Sequence, residues 1–329
     1  MWRERERYIV KSYCNVIVYG ENYYESYYLE NIRELDQIDR KDHKVWIDLY
    51  NLDDEKIKDV VNYFSINDFT QMDLLEFNKM SKYERYRDYL YMTFKMVNLD
   101  IEEFKELEDT NIAFILFKDK IITFREAEED YIEDVKKSLR ILNDPKINYV
   151  SYVAYIIIEN ILDKYYDSLE EIGEYIDHLE DELMLNPNKK ILNLIYELKR
   201  NFIFVRKSLW STRNMINDLL LDDEMEIDSR ANYYIKFVYN DIIQIIDLIE
   251  TYREICSGML DTYLSSIGNK TNDVMKILTL VSTIFTPISF YASLYMMNMP
   301  TNLSYLVFWG LTVATVLFML SYFRKKGWF

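Results

Sequence analysis

The chain carries, from Ile277 to Phe323, the uncharged segment ILTLVSTIFTPISFYASLYMMNMPTNLSYLVFWGLTVATVLFMLSYF. A helix that spans a bilayer needs about 20 predominantly apolar residues, so this segment is long enough for two such helices. Polar and helix-breaking residues cluster in its middle, at residues 298–302. We therefore predict transmembrane helices at residues 274–296 and 304–323, joined by an external loop at residues 297–303.

The basic residues that flank these helices predict their orientation. Lys270 and Lys276 precede the first helix, and Arg324, Lys325 and Lys326 follow the second. Short basic flanks tend to stay in the cytoplasm, and residues 324–329 then form a basic cytoplasmic tail. The opening residues MWRERER lack the apolar core of a secretory signal. We expect a multi-pass protein of the cell (plasma) membrane with both termini in the cytoplasm.

Composition argues against several classes of function. The net charge of −17 disfavours a nucleic-acid partner, because such partners are bound by basic surfaces. The chain has only two Cys and two His, far apart in sequence, which gives no disulfide framework and no zinc-type cluster. Its six Gly form no phosphate-binding motif. We expect no enzyme and no tightly bound cofactor.

The segments before the membrane helices predict an α+β protein with a cytoplasmic α/β domain at residues 1–148. Val45–Leu49 has the composition of a strand, and the runs at 111–117 and 120–124 resemble the two arms of a hairpin. Residues 149–228 predict a helical hairpin broken at 186–188. Its first helix is acidic and its second is basic, which favours charge pairing between them, with ion binding by the acids as the alternative.

A stalk at residues 229–273 leads into the first membrane helix with little to interrupt it. The only Pro between Ser229 and Met296 is Pro287, so one helix of roughly 100 Å is possible at 1.5 Å per residue. A helix of this length needs partners along its sides. We therefore predict a parallel bundle of identical copies, which makes the chain itself and the lipid bilayer its partners.

Four hydroxyl residues of the first membrane helix recur at steps of four, three and four, which places them on one helical face. They are Ser282, Thr286, Ser289 and Ser293. This face either joins neighbouring membrane helices or lines a water-filled axial pore. Towards the cytoplasm it leads to polar residues that suit a hydrated cation and to apolar residues that suit a gate. The predicted pore lining is Asp261, Thr271, Asn272, Met275, Leu278, Thr279, Ser282, Thr286, Ser289 and Ser293.

The segment REICSGMLDTYLSSIGNKTNDVMKILT, residues 253–279, resembles the stalk-to-pore segment of the CorA family of divalent-cation channels. Lys199–Asn201, Arg206–Lys207 and Trp210 are similar to that family's cytoplasmic helical pair. The ending YFRKKGWF is also typical of it. The resemblance implies a homopentameric funnel and passive, potential-driven uptake of Mg²⁺, with Co²⁺ or Ni²⁺ as possible cargo.

The resemblance also implies roles for individual residues. Asn272, Met275 and Leu278 fall on the family's inner pore and gate, and Asp261 falls on an acidic ring below them. Tyr295, Met297 and Asn298 fall on the family's Tyr-Gly-Met-Asn signature at the pore mouth. Amide oxygens of Asn298 and Asn272 would then contact the hydration shell of Mg²⁺, which sheds water reluctantly.

The chain departs from the family pattern at four places. The loop at residues 299–303 is short and carries no acid, whereas the family usually has one there. Met296 stands where the signature has Gly, and Thr286 stands where a pore Met is common. Asp73 falls on an acidic position of the family's regulatory metal site, but the position of its partner is Phe237. We therefore expect regulation by intracellular Mg²⁺ through Asp73 to be weak or absent.

These departures leave two alternatives to Mg²⁺ uptake. One is a Zn²⁺ transporter like the ZntB branch of the family. The other is a membrane scaffold or regulatory subunit that does not conduct. The sequence alone leaves the preferred ion, the number of subunits and the direction of transport open.

Overall fold

The computed structural model describes residues 13–40, 43–76, 80–97, 99, 107, 109–126, 131–140, 149–222, 231–298 and 302–328. The chain divides into two compact units. The first comprises Met1–Glu180 and Asn193–Ser257, and the second comprises Asp181–Leu192 and Gly258–Phe329. The predicted fold class is confirmed: an α/β domain is followed by long helices and two C-terminal apolar helices.

The first unit is built on a mixed seven-stranded sheet with the order β2-β1-β3-β7-β6-β5-β4. Neighbouring strands are antiparallel except for the parallel pair β3 and β7. Strand β3 is almost entirely buried because helices cover both faces of the sheet, so its residues are apolar on both sides apart from Lys44 and Asp48. The strands are β1 Tyr13–Gly20, β2 Tyr23–Leu29, β3 Lys44–Tyr50, β4 Lys82–Arg85, β5 Leu90–Val97, β6 Asp109–Leu116 and β7 Lys120–Arg125.

Two hairpins set the register of this sheet. The predicted hairpin across Lys118–Asp119 is confirmed, with Leu116 opposite Ile121 in β6 and β7. The hairpin of β1 and β2 turns at Glu21–Asn22, where Asn22 has a φ of 64°. Asn tolerates this left-handed conformation better than most residues, which explains its place in the turn.

One face of the sheet is covered by a 3-10 helix, Ile32–Gln37, and by two short helices, α1 Asp54–Tyr63 and α2 Asp68–Leu75. Asp53 caps α1 by accepting a hydrogen bond from the backbone N–H of Lys56, and Asn67 caps α2 in the same way. Alternate strand residues and the inner faces of these helices form one apolar core; its members include Val16, Val18, Val45, Ile47, Ile57, Val60, Val61, Leu74, Ala113, Ile115 and Ile122.

The other face of the sheet packs against long helices. They are α4 Val150–Leu185, α5 Lys189–Leu220 and the first turns of α6 Ala231–Asn298, preceded by the shorter α3 Tyr131–Arg140. The backbone N–H of Val97 donates to the Tyr165 hydroxyl of α4 at 2.7 Å. The hydroxyls of Ser81 and Thr212 of α5 lie 2.8 Å apart. These buried hydrogen bonds fix α4 against β5 and α5 against the residue that precedes β4.

The basic side chains of α5 find partners on α6 as well as on their own helix. Arg206 forms an ion pair with Glu250 of α6, and Arg213 donates to the Tyr239 hydroxyl of α6 at 3.1 Å. The guanidinium of Arg213 also lies 5.1 Å from the Trp210 ring. For these two arginines the predicted pairing with the acidic helix α4 is therefore replaced by contacts with α6.

A buried ion pair joins β3 and β7 inside the sheet. Arg125 donates to both carboxylate oxygens of Asp48, at 2.9 and 2.8 Å. Thr123 donates to the same carboxylate, and Arg125 also donates to the Tyr13 hydroxyl. The side chains of Arg125 and Asp48 are only 2% and 0% exposed, so each charge depends on the other for compensation.

The second unit is helical and contains the ends of α4 and α5, the outer part of α6 and α7 Asn302–Lys325. The predicted single helix from about Ser229 to Met296 is confirmed as α6. Helices α6 and α7 are long and apolar enough to cross a membrane, and their most apolar segments are almost unburied within the chain. Side chains this apolar and this exposed need lipid or other copies of the chain as surroundings.

Candidate cation pathway along the long helix

Helix α7 covers one side of the outer part of α6. Leu280 is buried, and the residues about one, two and three turns further along this side, Ile284, Pro287 and Tyr291, are half-buried. The Thr315 hydroxyl of α7 donates to the Tyr291 hydroxyl at 3.4 Å. These residues follow one another at steps of four, three and four, so they mark the face of α6 that meets α7.

The hydroxyl face lies on the other side of α6. Ser282, Thr286, Ser289 and Ser293 are all exposed. At about 100° per residue they lie roughly 180–240° around the helix axis from Leu280. The hydroxyls therefore do not join α6 to α7, and within one chain they remain free to face another copy or a water-filled space.

Hydrogen bonds along this face orient two of the hydroxyls. Thr286 donates to the backbone carbonyl of Ser282 at 2.6 Å, and Ser293 donates to that of Ser289 at 2.9 Å. Each hydroxyl hydrogen is then directed at the helix, while the lone pairs of the oxygen stay available outside it. Because the water shell of a cation presents hydrogens outward, a wall of acceptors of this kind suits a hydrated cation.

The predicted lining residues nearer the cytoplasm lie on the same broad side of α6 and are exposed. Met275 and Leu278 are 54% and 57% exposed in the single chain. Apolar residues that form a constriction between several copies are expected to be exposed in one copy alone. The Thr271 hydroxyl donates to the backbone carbonyl of Ile267 at 2.9 Å. The other exposed members of this group are Asp261, Asn272 and Thr279.

The outer end of α6 carries the altered signature. The helix ends at Asn298. The side chains of Tyr295 and Asn298 lie outside the described part of the structure, so their assignment to the pore mouth stays a prediction. Met296 and Met297 are 86% and 78% exposed. Both side chains are therefore largely uncovered within the single chain.

Asp73 of α2 already has a cationic partner within the chain. Its carboxylate forms an ion pair with Lys82, whose ammonium also lies 2.8 Å from Glu84. Partial burial lowers the pKa of Lys82, but hydrogen bonds to Asp73 and Glu84 outweigh this and raise it. The predicted partner position, Phe237, is 44% exposed. An ammonium therefore occupies the surroundings in which a divalent cation would bind Asp73.

Sequence reasoning missed Lys82 because nine residues and a change from helix to strand separate it from Asp73, so no periodicity links them. Glu84, two residues further along β4, points to the same ammonium. Within the described ranges, no three His, Cys, Asp or Glu side chains come together as a set of metal ligands.

A family model of CorA-like Mg²⁺ transporter proteins matches residues 41–325. The chain belongs to this family. A curated relative, the cobalt/magnesium transport protein CorA of Thermotoga maritima, is 33% identical over 86% of this chain and 83% of its own length. Membership of the CorA-like family makes the protein a divalent-cation transporter with membrane-spanning helices, and it confirms the resemblance seen in residues 253–279.

Solved structures of CorA-like proteins share the fold. The complete structure of the CorA magnesium transporter from Methanocaldococcus jannaschii has a TM-score of 0.80 at 20% identity and covers 98% of this chain and 100% of its own. The ZntB cytoplasmic domain from Vibrio parahaemolyticus has a TM-score of 0.58 at 16% identity and covers 77% of this chain and 98% of its own.

Proposed function

We propose that this CorA-like chain forms a homopentameric ring that takes up Mg²⁺ passively through an axial pore, with Co²⁺ as an alternative cargo. The observation that supports the pore best is the hydroxyl face of α6, which is exposed and lies opposite the face covered by α7. In a ring, these faces meet at the axis and α7 lies outside them.

Each part of the lining then has a distinct task. Asn298 at the mouth and Asn272 further in offer amide oxygens to the water shell of the ion. Asp261 adds a ring of negative charge on the cytoplasmic side. Met275 and Leu278 form narrow apolar rings that close the pore by losing water.

The membrane potential supplies the driving force for this uptake. Moving one elementary charge through 100 mV is worth about 2.3 kcal/mol, so a divalent cation gains about 4.6 kcal/mol. Because the cytoplasm is electrically negative relative to the outside, the cation can enter without a site that couples transport to another energy source. Both charged flanks of the membrane helices stay on the cytoplasmic side in this arrangement, as the basic residues predict.

Regulation by cytoplasmic Mg²⁺ through Asp73 is weak or absent in this proposal. The side chain of Asp73 is 10% exposed, and its carboxylate is already paired with Lys82. A divalent cation would have to displace that ammonium and also shed part of its own water shell, which Mg²⁺ does reluctantly.

Zn²⁺ transport is the second candidate function. It is favoured by Met296 in place of the signature Gly and by the structural similarity to the ZntB cytoplasmic domain. Because a side chain at this position changes the turn at the mouth, it can change which ion enters.

Uptake into proteoliposomes distinguishes these functions. We expect Mg²⁺ and Co²⁺ to enter in response to an inside-negative potential, and Asn298→Ala to reduce the flux. Entry of Zn²⁺ but not Mg²⁺ would favour the second candidate, and a gain of Mg²⁺ flux in Met296→Gly would support it further.

Two results would overturn the proposal. The absence of flux for all three ions would favour a non-conducting scaffold, and flux indifferent to Asn298→Ala would remove the role of that residue. The mass of the detergent-solubilised complex tests the ring separately, because any assembly other than five copies contradicts it.

A further inference from the structure

Among the residues that the structure describes, two methionines stand at the outer end of the hydroxyl face. Met296 follows Ser293 by three residues and Met297 follows it by four, so both continue that side of α6. Their side chains are 86% and 78% exposed. A thioether is only a weak hydrogen-bond acceptor, so neither residue helps to hold the water shell of Mg²⁺.

The other donors at this end of the helix are neutral oxygens. The segment from Ile277 to Phe323 contains no carboxylate, imidazole or thiol side chain. Thioethers are soft ligands that select Cu(I), whereas carbonyl, carboxylate and water oxygens suit Mg²⁺. The mouth therefore carries the thioether donors of a soft-metal site beside neutral oxygens, and no charged ligand competes with the thioethers for a soft ion.

We propose that Met296 and Met297 of neighbouring copies together bind a soft monovalent cation, Cu(I) in the cell, and that the bound ion blocks the passage of hydrated divalent cations. This inference rests on the proposed ring, because Met296 and Met297 of one chain give two thioethers and the same residues of its neighbours complete the site. The block follows from position: a fixed positive charge at the mouth repels each arriving divalent cation.

Silver ion is a suitable probe because it is soft and monovalent like Cu(I) but does not change oxidation state under the assay conditions. Full-length protein in proteoliposomes would be assayed for Co²⁺ uptake in chloride-free nitrate buffer, which keeps silver dissolved. We expect micromolar Ag⁺ to inhibit wild-type uptake, and the double variant Met296→Leu/Met297→Leu to need at least tenfold more. Leu is close in volume to Met, so the variant should fold and assemble normally.

Two further variants show whether the effect belongs to this site. Met184→Leu removes a thioether that is 67% exposed at the end of α4 and should leave the inhibition unchanged. Met275→Leu removes the deeper thioether of the pore and should change it less than the double variant does. The two native thiols, Cys14 and Cys256, are buried, so they compete poorly for Ag⁺.

Calorimetric titration of Ag⁺ in detergent separates this inference from the proposed function. Binding that is lost in the double variant, in a protein without divalent flux, would support the site and overturn conduction. Equal Ag⁺ binding in wild type and double variant would mean that silver binds elsewhere and would overturn the site. Equal inhibition of both proteins would overturn the block.

Discussion

Replacing Ser289 by Cys tests whether the hydroxyl face borders water. A thiol reacts with a methanethiosulfonate reagent as the thiolate, so its rate of labelling reports its surroundings. The two native thiols, Cys14 and Cys256, should be labelled slowly and contribute little background signal. Burial raises the pKa of Cys14 to about 12 and that of Cys256 to about 11.

These pKa values predict how much more slowly the native thiols are labelled than a thiol exposed to water. A thiol in water has a pKa near 8.5, so about 10% of it is thiolate at pH 7.5. At a pKa of about 11, the thiolate fraction of Cys256 is about 300-fold smaller, since each pKa unit counts tenfold. The contrast with Cys14 is larger still, and the burial of both thiols also restricts access of the reagent.

The assay uses a charged reagent that does not cross the bilayer, with labelling read from the intact mass. The matched control is Ala314→Cys, which is exposed on α7 in a single chain but faces lipid in the proposed ring. Lipid disfavours the thiolate, and a rise of one pKa unit already slows labelling about tenfold. We therefore expect Ser289→Cys to be labelled at least tenfold faster than Ala314→Cys. Labelled Ser289→Cys should also lose cation uptake.

Labelling of Ser289→Cys as slow as that of the wild type would refute the reasoning. It would mean that this side of α6 lies against lipid or a neighbouring helix. Equal labelling at Ser289 and Ala314 would be just as damaging, because exposure in the single chain would then explain both.

The remaining predictions concern two ion pairs of the first unit. Because Lys82 already pairs with Asp73, millimolar Mg²⁺ should change the rate of proteolysis of the wild type and of Asp73→Asn by the same factor. Protection of the wild type by Mg²⁺ that is lost in Asp73→Asn would contradict the proposal. Arg125→Met leaves the buried carboxylate of Asp48 without its cation and should cost about 3–5 kcal/mol of unfolding free energy, measured by denaturant titration. Lys137→Met removes an ion pair at the surface and should leave that titration unchanged; an equal loss in both variants would point to a different origin.

Much of the fold could be predicted because it depends on periodicity and local signals. The absence of charge after Lys276 predicted two apolar helices, and the lack of breakers before Pro287 predicted the length of α6. The hairpin of β6 and β7 followed from two apolar runs beside Lys118–Asp119. These features are properties of neighbouring residues, so the sequence alone displays them.

Features that depend on distant residues were not predictable in the same way. The parallel pairing of β3 with β7 joins segments more than seventy residues apart in sequence. No local sequence pattern predicts a pairing over this distance. The resemblance assigned Asp73 to a regulatory metal site whose second position is Phe237, and it gave no sign that Lys82 lies beside Asp73. Contacts of this kind depend on how α2 and β4 pack, which the residues around Asp73 do not encode.

The hydrogen bonds of Thr286 and Ser293 to their own helix have one more consequence. With their hydrogens directed inward, these hydroxyls have little to offer chloride or phosphate, which need donors rather than acceptors. Such a conduit would reject anions without any fixed carboxylate in the bilayer, where a charged side chain is costly. The backbone of α6 would thereby set the sign of the ions that pass.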